Sequence, residues 1–288
     1  MLQLHLAVLF FGAAALVAQS TQLDALALTL GRCLVAAPLL LGLARWRSGG
    51  HRAWPGLRHG LGAGALLAFH WAAFFQAMRL GGVAVALLSY AAFPAFSLLV
   101  ERLLPTQTRE HALPAGWQGL QLLLLTFGLL LLALPHGGQG SHLPAALGWG
   151  LASGAGFALL AHWNARLRSL HGALALTGSQ VAGAALLLLP FALPALATAT
   201  LHDWTALLLL GLMCTALGHG LFQWALGRVS PFQAGIAAGL EPVYGLLLMA
   251  GLGQTVEIRE WVALPLMALA AFLPLFGKTG MGRWVRRS

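Results

Sequence analysis

GLGAGALLAFHWAAFFQAMRLGGVAVALLSYAAFPAFSLLVE, residues 60–101, is the stretch on which the fold turns. Its one basic residue, Arg79, stands with Leu80-Gly81-Gly82 near the middle. A membrane-spanning helix needs about 20 mostly apolar residues. Read as one helix, the stretch is far too long for a bilayer. Read as two, 60–79 and 82–101, joined by a tight glycine turn, each half is one span. The second reading makes consecutive spans antiparallel neighbours.

Outward from this hairpin the pattern repeats. Of the 288 residues, 59% are hydrophobic and 8% charged, a balance foreign to soluble domains. Apolar runs bounded by polar or Gly/Pro clusters predict spans near 4–20, 26–44, 60–79, 82–101, 115–134, 144–163, 173–193, 204–226, 231–252 and 260–277. The expected fold is an all-α integral membrane protein of ten transmembrane helices, with no room for a soluble domain. Residues 1–20 end like a signal peptide, in Leu16-Val17-Ala18-Gln19-Ser20, but lack its basic start, so a retained first span is expected. Cys33 and Cys214 fall within spans and read as small buried apolar side chains rather than a disulfide or a metal site.

A formal charge of +9 would point to nucleic acid in a soluble protein. Here the arginines lie between apolar runs and act as topology signals, so no nucleic-acid partner is expected. Ten spans put both termini on one side. That side holds Arg45, Arg47, Arg52, Arg58, Arg102, Arg109, Arg166, Arg168, Arg228, Lys278, Arg283, Arg286 and Arg287, thirteen of the sixteen basic residues. The other side holds Arg79 and Arg259, and Arg32 lies within a span. The positive-inside rule makes both termini cytoplasmic.

A shift of 148 residues lays the third and fourth spans on the eighth and ninth, pairing Phe74 with Phe222, Ala77 with Ala225, Ala86 with Ala234, Pro94 with Pro242, and Phe96 with Tyr244. Alanine matches are cheap in this composition, so the Phe and Pro pairs carry the weight. A duplicated unit of five spans enters the membrane from opposite sides in its two copies. The halves are therefore expected to be inverted repeats, the arrangement of many secondary transporters, with substrate held near the midplane between them.

Two segments resemble a known family. His70-Trp71-Ala72-Ala73-Phe74-Phe75-Gln76-Ala77, followed by Val83-Ala84-Val85-Ala86-Leu87-Leu88-Ser89-Tyr90 and Pro94, is similar to the first EamA domain of the drug/metabolite transporter superfamily. Thr215-Ala216-Leu217-Gly218-His219, through Ala225-Leu226 to Glu241-Pro242-Val243-Tyr244, is similar to the second, and Arg32 early in the second span fits the same pattern. The resemblance implies two EamA-like five-helix repeats, 1–137 and 138–278, a basic cytoplasmic tail at 279–288, and a central substrate path. It further implies a multi-pass protein of the bacterial inner membrane. It leaves the cargo open among amino acids, metabolites and drugs.

Candidate site residues follow from what lipid cannot tolerate. Pro94 and Pro242 free the carbonyls of Tyr90 and Ala238, either toward a central cavity or in packing kinks; their matching positions favour the cavity. Glu241 is the acidic residue deep in a span and must face protein or water. It either exchanges a proton or binds a cationic part of the substrate, or it is bonded to a neighbouring helix or paired with Arg32. Arg32 either snorkels to the interface or serves as that charge partner. His219 and Gln223 share a helix face, as do Trp71 and Phe75, with His70 and Gln76 beside them. With Tyr90 and Tyr244, these form an aromatic pocket with a few polar handles, suited to an amphipathic small molecule. Gly60 with Gly64, Gly150 with Gly154, and Gly235 with Gly239 read as helix-packing pairs.

Gly277-Lys278-Thr279 mimics the end of a phosphate-binding loop, but Phe272 stands where its glycine is needed, so ATP hydrolysis, and with it a bound cofactor, is not expected. No tight metal-ligand spacing occurs. The expectation is a secondary transporter, an exporter, whose partners are a small-molecule substrate and the lipid bilayer, with Glu241 open to proton coupling and the chain a monomer or homodimer. The alternative from another class is a membrane-embedded enzyme using Glu241 with His70 or His219.

Overall fold

In the hydrocarbon core no water satisfies backbone N–H and C=O groups, so a chain this apolar must bond its backbone within each segment. The computed structural model describes residues 2–48, 55–103, 115–133, 142–168, 170–228 and 231–276, and every regular element among them is a helix. In chain order these are α1 (Leu2–Gln19), α2 (Ala25–Ser48), α3 (Leu57–Tyr90), α4 (Phe93–Leu103), α5 (Ala115–Ala133), α6 (Leu143–Leu167), α7 (Ala173–Leu196), α8 (Leu201–Leu209), a π-helical stretch (Leu210–Leu217), α9 (Gly218–Leu226), α10 (Pro231–Ala238), α11 (Glu241–Gly251) and α12 (Ile258–Phe276). Arg52, Arg109, the Gly277-Lys278-Thr279 segment and the basic tail at 279–288 lie outside the described residues.

Six of the described helical segments are long and apolar enough to cross a membrane by themselves: Leu2–Gln19, Ala25–Arg47, Leu57–Tyr90, Leu143–Leu167, Ala173–Leu196 and Leu201–Leu226. Their outer faces carry large apolar side chains such as Phe191, Leu186 and Leu208, all well exposed. In water such a surface would aggregate; against acyl chains it is in its proper solvent. The chain is a multi-pass membrane protein.

Helix breaks decide where the segments turn. Within α3, Gly82 has φ +83° and ψ 172°, a conformation nearly confined to glycine, and it separates the helical run before it from the one after it. Just ahead of this break Arg79 donates to the Ala18 and Leu23 carbonyls and to Thr21 Oγ1, tying the turn down on the α1–α2 connection.

The prolines behave differently from the kinks expected of them. The helix ends at Tyr90 and restarts at Phe93, so Pro94 sits in the first turn of α4, and Pro242 likewise in the first turn of α11. Those positions need no intrahelical N–H donor, so proline costs nothing there. The Tyr90 carbonyl is released, but it faces α6: a Cβ at Gly154 would stand 3.0 Å from it.

Close packing holds the bundle together. α3 packs on α6 and α7, α2 on α7, α5 on α12, α1 on α11, and α4 on α6. At the α3–α7 crossing a Cβ on Gly64 would lie 2.7 Å from Ala184 N and 2.8 Å from Gln180 O. Only a glycine there lets the two backbones meet.

Candidate functional site

The centre of the bundle collects the polar side chains that the apolar helices carry. Arg32 of α2 is 2% exposed. Its Nε donates to Thr215 Oγ1 at 2.7 Å, and its guanidinium lies 4.1 Å from the Trp71 ring centroid and 5.5 Å from that of Phe75. It does not snorkel: the charge is held inside by one hydrogen bond and by the faces of two aromatic rings. Thr215 in turn donates to Leu210 O at 2.8 Å, five residues back, within the π-helical stretch. That wider turn is a feature often found at functional sites, and here it presents a hydroxyl to the arginine.

Two histidines complete the polar lining, each with one ring nitrogen committed. His70 Nδ1 lies 3.1 Å from Ser153 O and 2.8 Å from Ser153 Oγ, while Ser153 Oγ donates to His70 O at 3.0 Å. A carbonyl only accepts, so Nδ1 carries the proton. His219 Nε2 accepts from Trp71 Nε1 at 3.2 Å, so in the neutral ring its proton is on Nδ1. The rings stack or tilt into an aromatic cluster: His70 on Phe157 at 4.7 Å and His219 on Phe11 at 4.6 Å. Glu241 opens α11 and is 4% exposed, and no ion pair joins its carboxyl group to another described residue. A carboxylate in a first helical turn is favoured by the helix dipole.

Between these groups lies a cavity lined by Phe11 and Ala14 of α1, Arg32 of α2, His70, Trp71, Phe74 and Tyr90 of α3, His219 of α9 and Glu241 of α11. Its volume is about 20 Å³, room for about one water molecule. Arg32 and Glu241 therefore face one small space without an ion pair within 4.0 Å, since no such pair exists between them among the described residues.

Of the residues singled out in the sequence, Arg32, Trp71, Tyr90, His219 and Glu241 are brought together here. Phe75 sits behind, against the guanidinium. Gln76 is half-buried and does not line the cavity. Pro94 and Pro242 lie in the adjoining helix starts. Tyr244 is turned to α1, its hydroxyl 3.2 Å from His5 Nδ1. Gln223 belongs to a separate amide cluster: its Nε2 donates to Gln180 Oε1 at 3.2 Å, Gln180 and Asn164 bond each other, and Arg168 Nε donates to the Gln223 carbonyl at 2.8 Å.

Sequence reasoning missed Phe11, Ala14 and Ser153 as parts of this site. Between His5 and Gln19 α1 is apolar on every face, so no pattern marks which of those residues turn inward. Ser153 carries no signal apart from its histidine partner 83 residues away.

A polytopic helical membrane protein with a guanidinium and a carboxyl group buried in its centre has the build of a solute transporter. The EamA-like transporter family matches residues 144–276, and over that stretch the resemblance to EamA-type drug/metabolite transporters holds. Proteins of this kind carry small solutes. A solved structure, described only as the crystal structure of a protein, has the same fold, with a TM-score of 0.70 at 19% identity over 96% of this chain and 97% of the other. At that identity the likeness establishes the fold alone. No curated protein matches the chain.

Proposed function

We propose that the protein is a secondary transporter of small metabolites that alternates access to the cavity between Arg32, Trp71, His219 and Glu241. The observation that carries this reading is the Trp71–His219 hydrogen bond, which joins positions 148 residues apart, the spacing of the internal repeat. The same displacement carries α2, Ala25–Ser48, onto α7, Ala173–Leu196, and α4, Phe93–Leu103, onto α11, Glu241–Gly251. It also exchanges packing partners: α1 lies on α11 as α6 lies on α4. These relations support ten spans in two inverted five-helix repeats, 1–137 and 138–278, with substrate at the interface between them. The distribution of arginines supports cytoplasmic termini.

The cavity in this conformation is too small for a solute, so the helices must part on one side to load and on the other to release. A guanidinium and a carboxylate that do not neutralise each other suit a cargo with an anionic and a cationic end, and the aromatic walls suit an apolar body. Amino acids and amphipathic cationic metabolites or drugs meet that description, with export as the direction. Proton exchange at Glu241 is the coupling step on this reading.

Neither His70 nor His219 comes within 4.0 Å of the Glu241 carboxylate among the described residues, and each already has a partner. That arrangement favours transport over the enzyme alternative. The deciding experiment is uptake and efflux by reconstituted protein over a panel of amino acids, metabolites and cationic drugs, with and without a proton gradient. Protein-dependent flux of a panel compound is expected. Chemical turnover of a compound without flux would replace transport by catalysis, and a Glu241→Gln variant indifferent to the gradient, in a wild type equally indifferent, would remove Glu241 from coupling.

A further inference from the structure

On the outer side of the bundle, α2, the start of α7 and the run from the π-helical stretch into α9 leave a groove of about 390 Å³. Leu39 and Leu43 of α2 form one wall, and Leu212 and Leu217 of the π-helical stretch the other; all four are exposed. In a membrane protein such side chains meet acyl chains, so lipid is the molecule at hand to fill the groove. Its depth comes from Gly220 of α9, where an added Cβ would meet nothing within 4 Å. Gly64 is small because a backbone lies against it; Gly220 instead leaves open space.

One end of this apolar groove is basic and aromatic. A Cβ on Gly31 would lie 2.6 Å from Leu207 Cδ1, and a Cβ on Gly211 2.5 Å from Val35 Cβ. The two contacts advance together along both chains, so α2 and the α8–α9 run point the same way and their C-terminal ends lie side by side. There Arg47 and Trp224 both line the groove, and the Arg228 guanidinium lies 3.4 Å from the Trp224 ring centroid. Leu39, Leu43 and Arg47 follow one another at one-turn spacing along a single face of α2. From Leu39 to Arg47 that face runs for about 12 Å, most of the depth of one leaflet, about 15 Å. Tryptophan and arginine at its end are what the headgroup level of a bilayer favours. A guanidinium fork also matches phosphate oxygens in pairs.

We infer that this groove binds one anionic phospholipid, with an acyl chain lying over Gly220 and the phosphate held by Arg47 and Arg228. In the orientation proposed above, the lipid comes from the cytoplasmic leaflet, whose anionic headgroups attract basic residues. The bound chain packs on the outside of the π-helical stretch, which on its inner side presents Thr215 to Arg32.

The test does not depend on transport. The full chain is placed in nanodiscs of phosphatidylcholine that contain a small share of phosphatidylglycerol with a photoreactive group in its acyl chain. Illumination is expected to attach this probe to the segment from Leu212 to Trp224, located by mass spectrometry of peptides. Unlabelled phosphatidylglycerol is expected to displace the probe more strongly than phosphatidylcholine does, by about five-fold for each arginine engaged. Arg47→Gln combined with Arg228→Gln, both at exposed positions, is expected to abolish that preference. Gly220→Phe fills the open space and is expected to abolish labelling of the segment with thermal unfolding intact. Where Gly220→Phe fails to fold, the arginine pair decides the question by itself. Equal displacement by the two lipids overturns the proposal, as does a preference that survives loss of both arginines or labelling that survives in folded Gly220→Phe. A dimer on size exclusion that Gly220→Phe splits into monomers would give the groove to a second copy of the chain and overturn it as well.

Discussion

Arg32→Met separates a residue kept for stability from one kept for function. The substitution removes the charged hydrogen bond to Thr215, a loss of about 1.5–3 kcal/mol, and the cation–π contact with Trp71, a loss of about 2 kcal/mol. Thr215 is not orphaned, because its hydroxyl still donates to Leu210 O. Against these losses stands the desolvation of a guanidinium that is 2% exposed and has no carboxylate within 4.0 Å among the described residues, a burden of several kcal/mol. The methionine stem fills most of the arginine's volume, so the opposing terms nearly cancel. The expected change in unfolding free energy is within about 1 kcal/mol of zero, while transport of the reconstituted protein is lost. Thermal unfolding in nanodiscs and flux in proteoliposomes read the two effects separately. Adding Glu241→Gln completes a double-mutant cycle: if the two charges serve one cargo, the double variant loses no more transport than either single one. A loss of more than about 3 kcal/mol with transport retained would refute the reasoning and make Arg32 a structural residue.

Trp71→Phe keeps an aromatic face under Arg32 but leaves His219 Nε2 buried without its donor, which is expected to cost about 1–3 kcal/mol in thermal unfolding. Gly64→Val drives a side chain into the α7 backbone and is expected to cost about 3 kcal/mol or more, read as loss of monodisperse protein on size exclusion. Gly82→Ala places a side chain on φ +83°, an expected loss of about 1–3 kcal/mol; unchanged stability would mean that the turn after Arg79 relaxes freely. Ser153→Ala strips His70 of its Oγ partner and should lower stability by about 1–3 kcal/mol while leaving Arg32 in place. A loss of transport with no change in unfolding would instead make Ser153 a substrate contact.

The helical course of the chain was legible because lipid leaves the backbone so few choices. A break at Arg79-Leu80-Gly81-Gly82 could be placed because a continuous span there would outrun the bilayer, and the positive φ of Gly82 interrupts the helix at that point. Arg32 and Glu241 could be singled out because charge inside a span must have a use. What the sequence concealed is direction. Gln223 lies four residues from His219 on one helix, yet Gln180 and Asn164 draw it into an amide cluster on another level. Tyr244 turns to His5, a partner 239 residues away that no local pattern announces. Glu101 stands at the end of an expected span, where a carboxylate passes for a solvated terminus, and only the tertiary packing of α4 on α6 buries it against His162.

On the inverted-repeat reading, the frame is duplicated more faithfully than the chemistry. Displacement by 148 residues relates Trp71 to His219, Arg32 to Gln180 and Phe93 to Glu241, so each central charge has an uncharged counterpart. Were the paired residues identical, exchanging the roles of the two halves would leave the free energy unchanged, and neither access state would be preferred. With Arg32 in one half and Glu241 in the other, exchange carries each charge into surroundings now filled by an amide cluster or an aromatic ring. Desolvation of a bare charge there is costly, so the change of access is opposed unless a proton or an oppositely charged group travels with it. On the proposed transport reading, asymmetric charge on a symmetric frame is thus a physical route by which cargo or a proton can set which side opens.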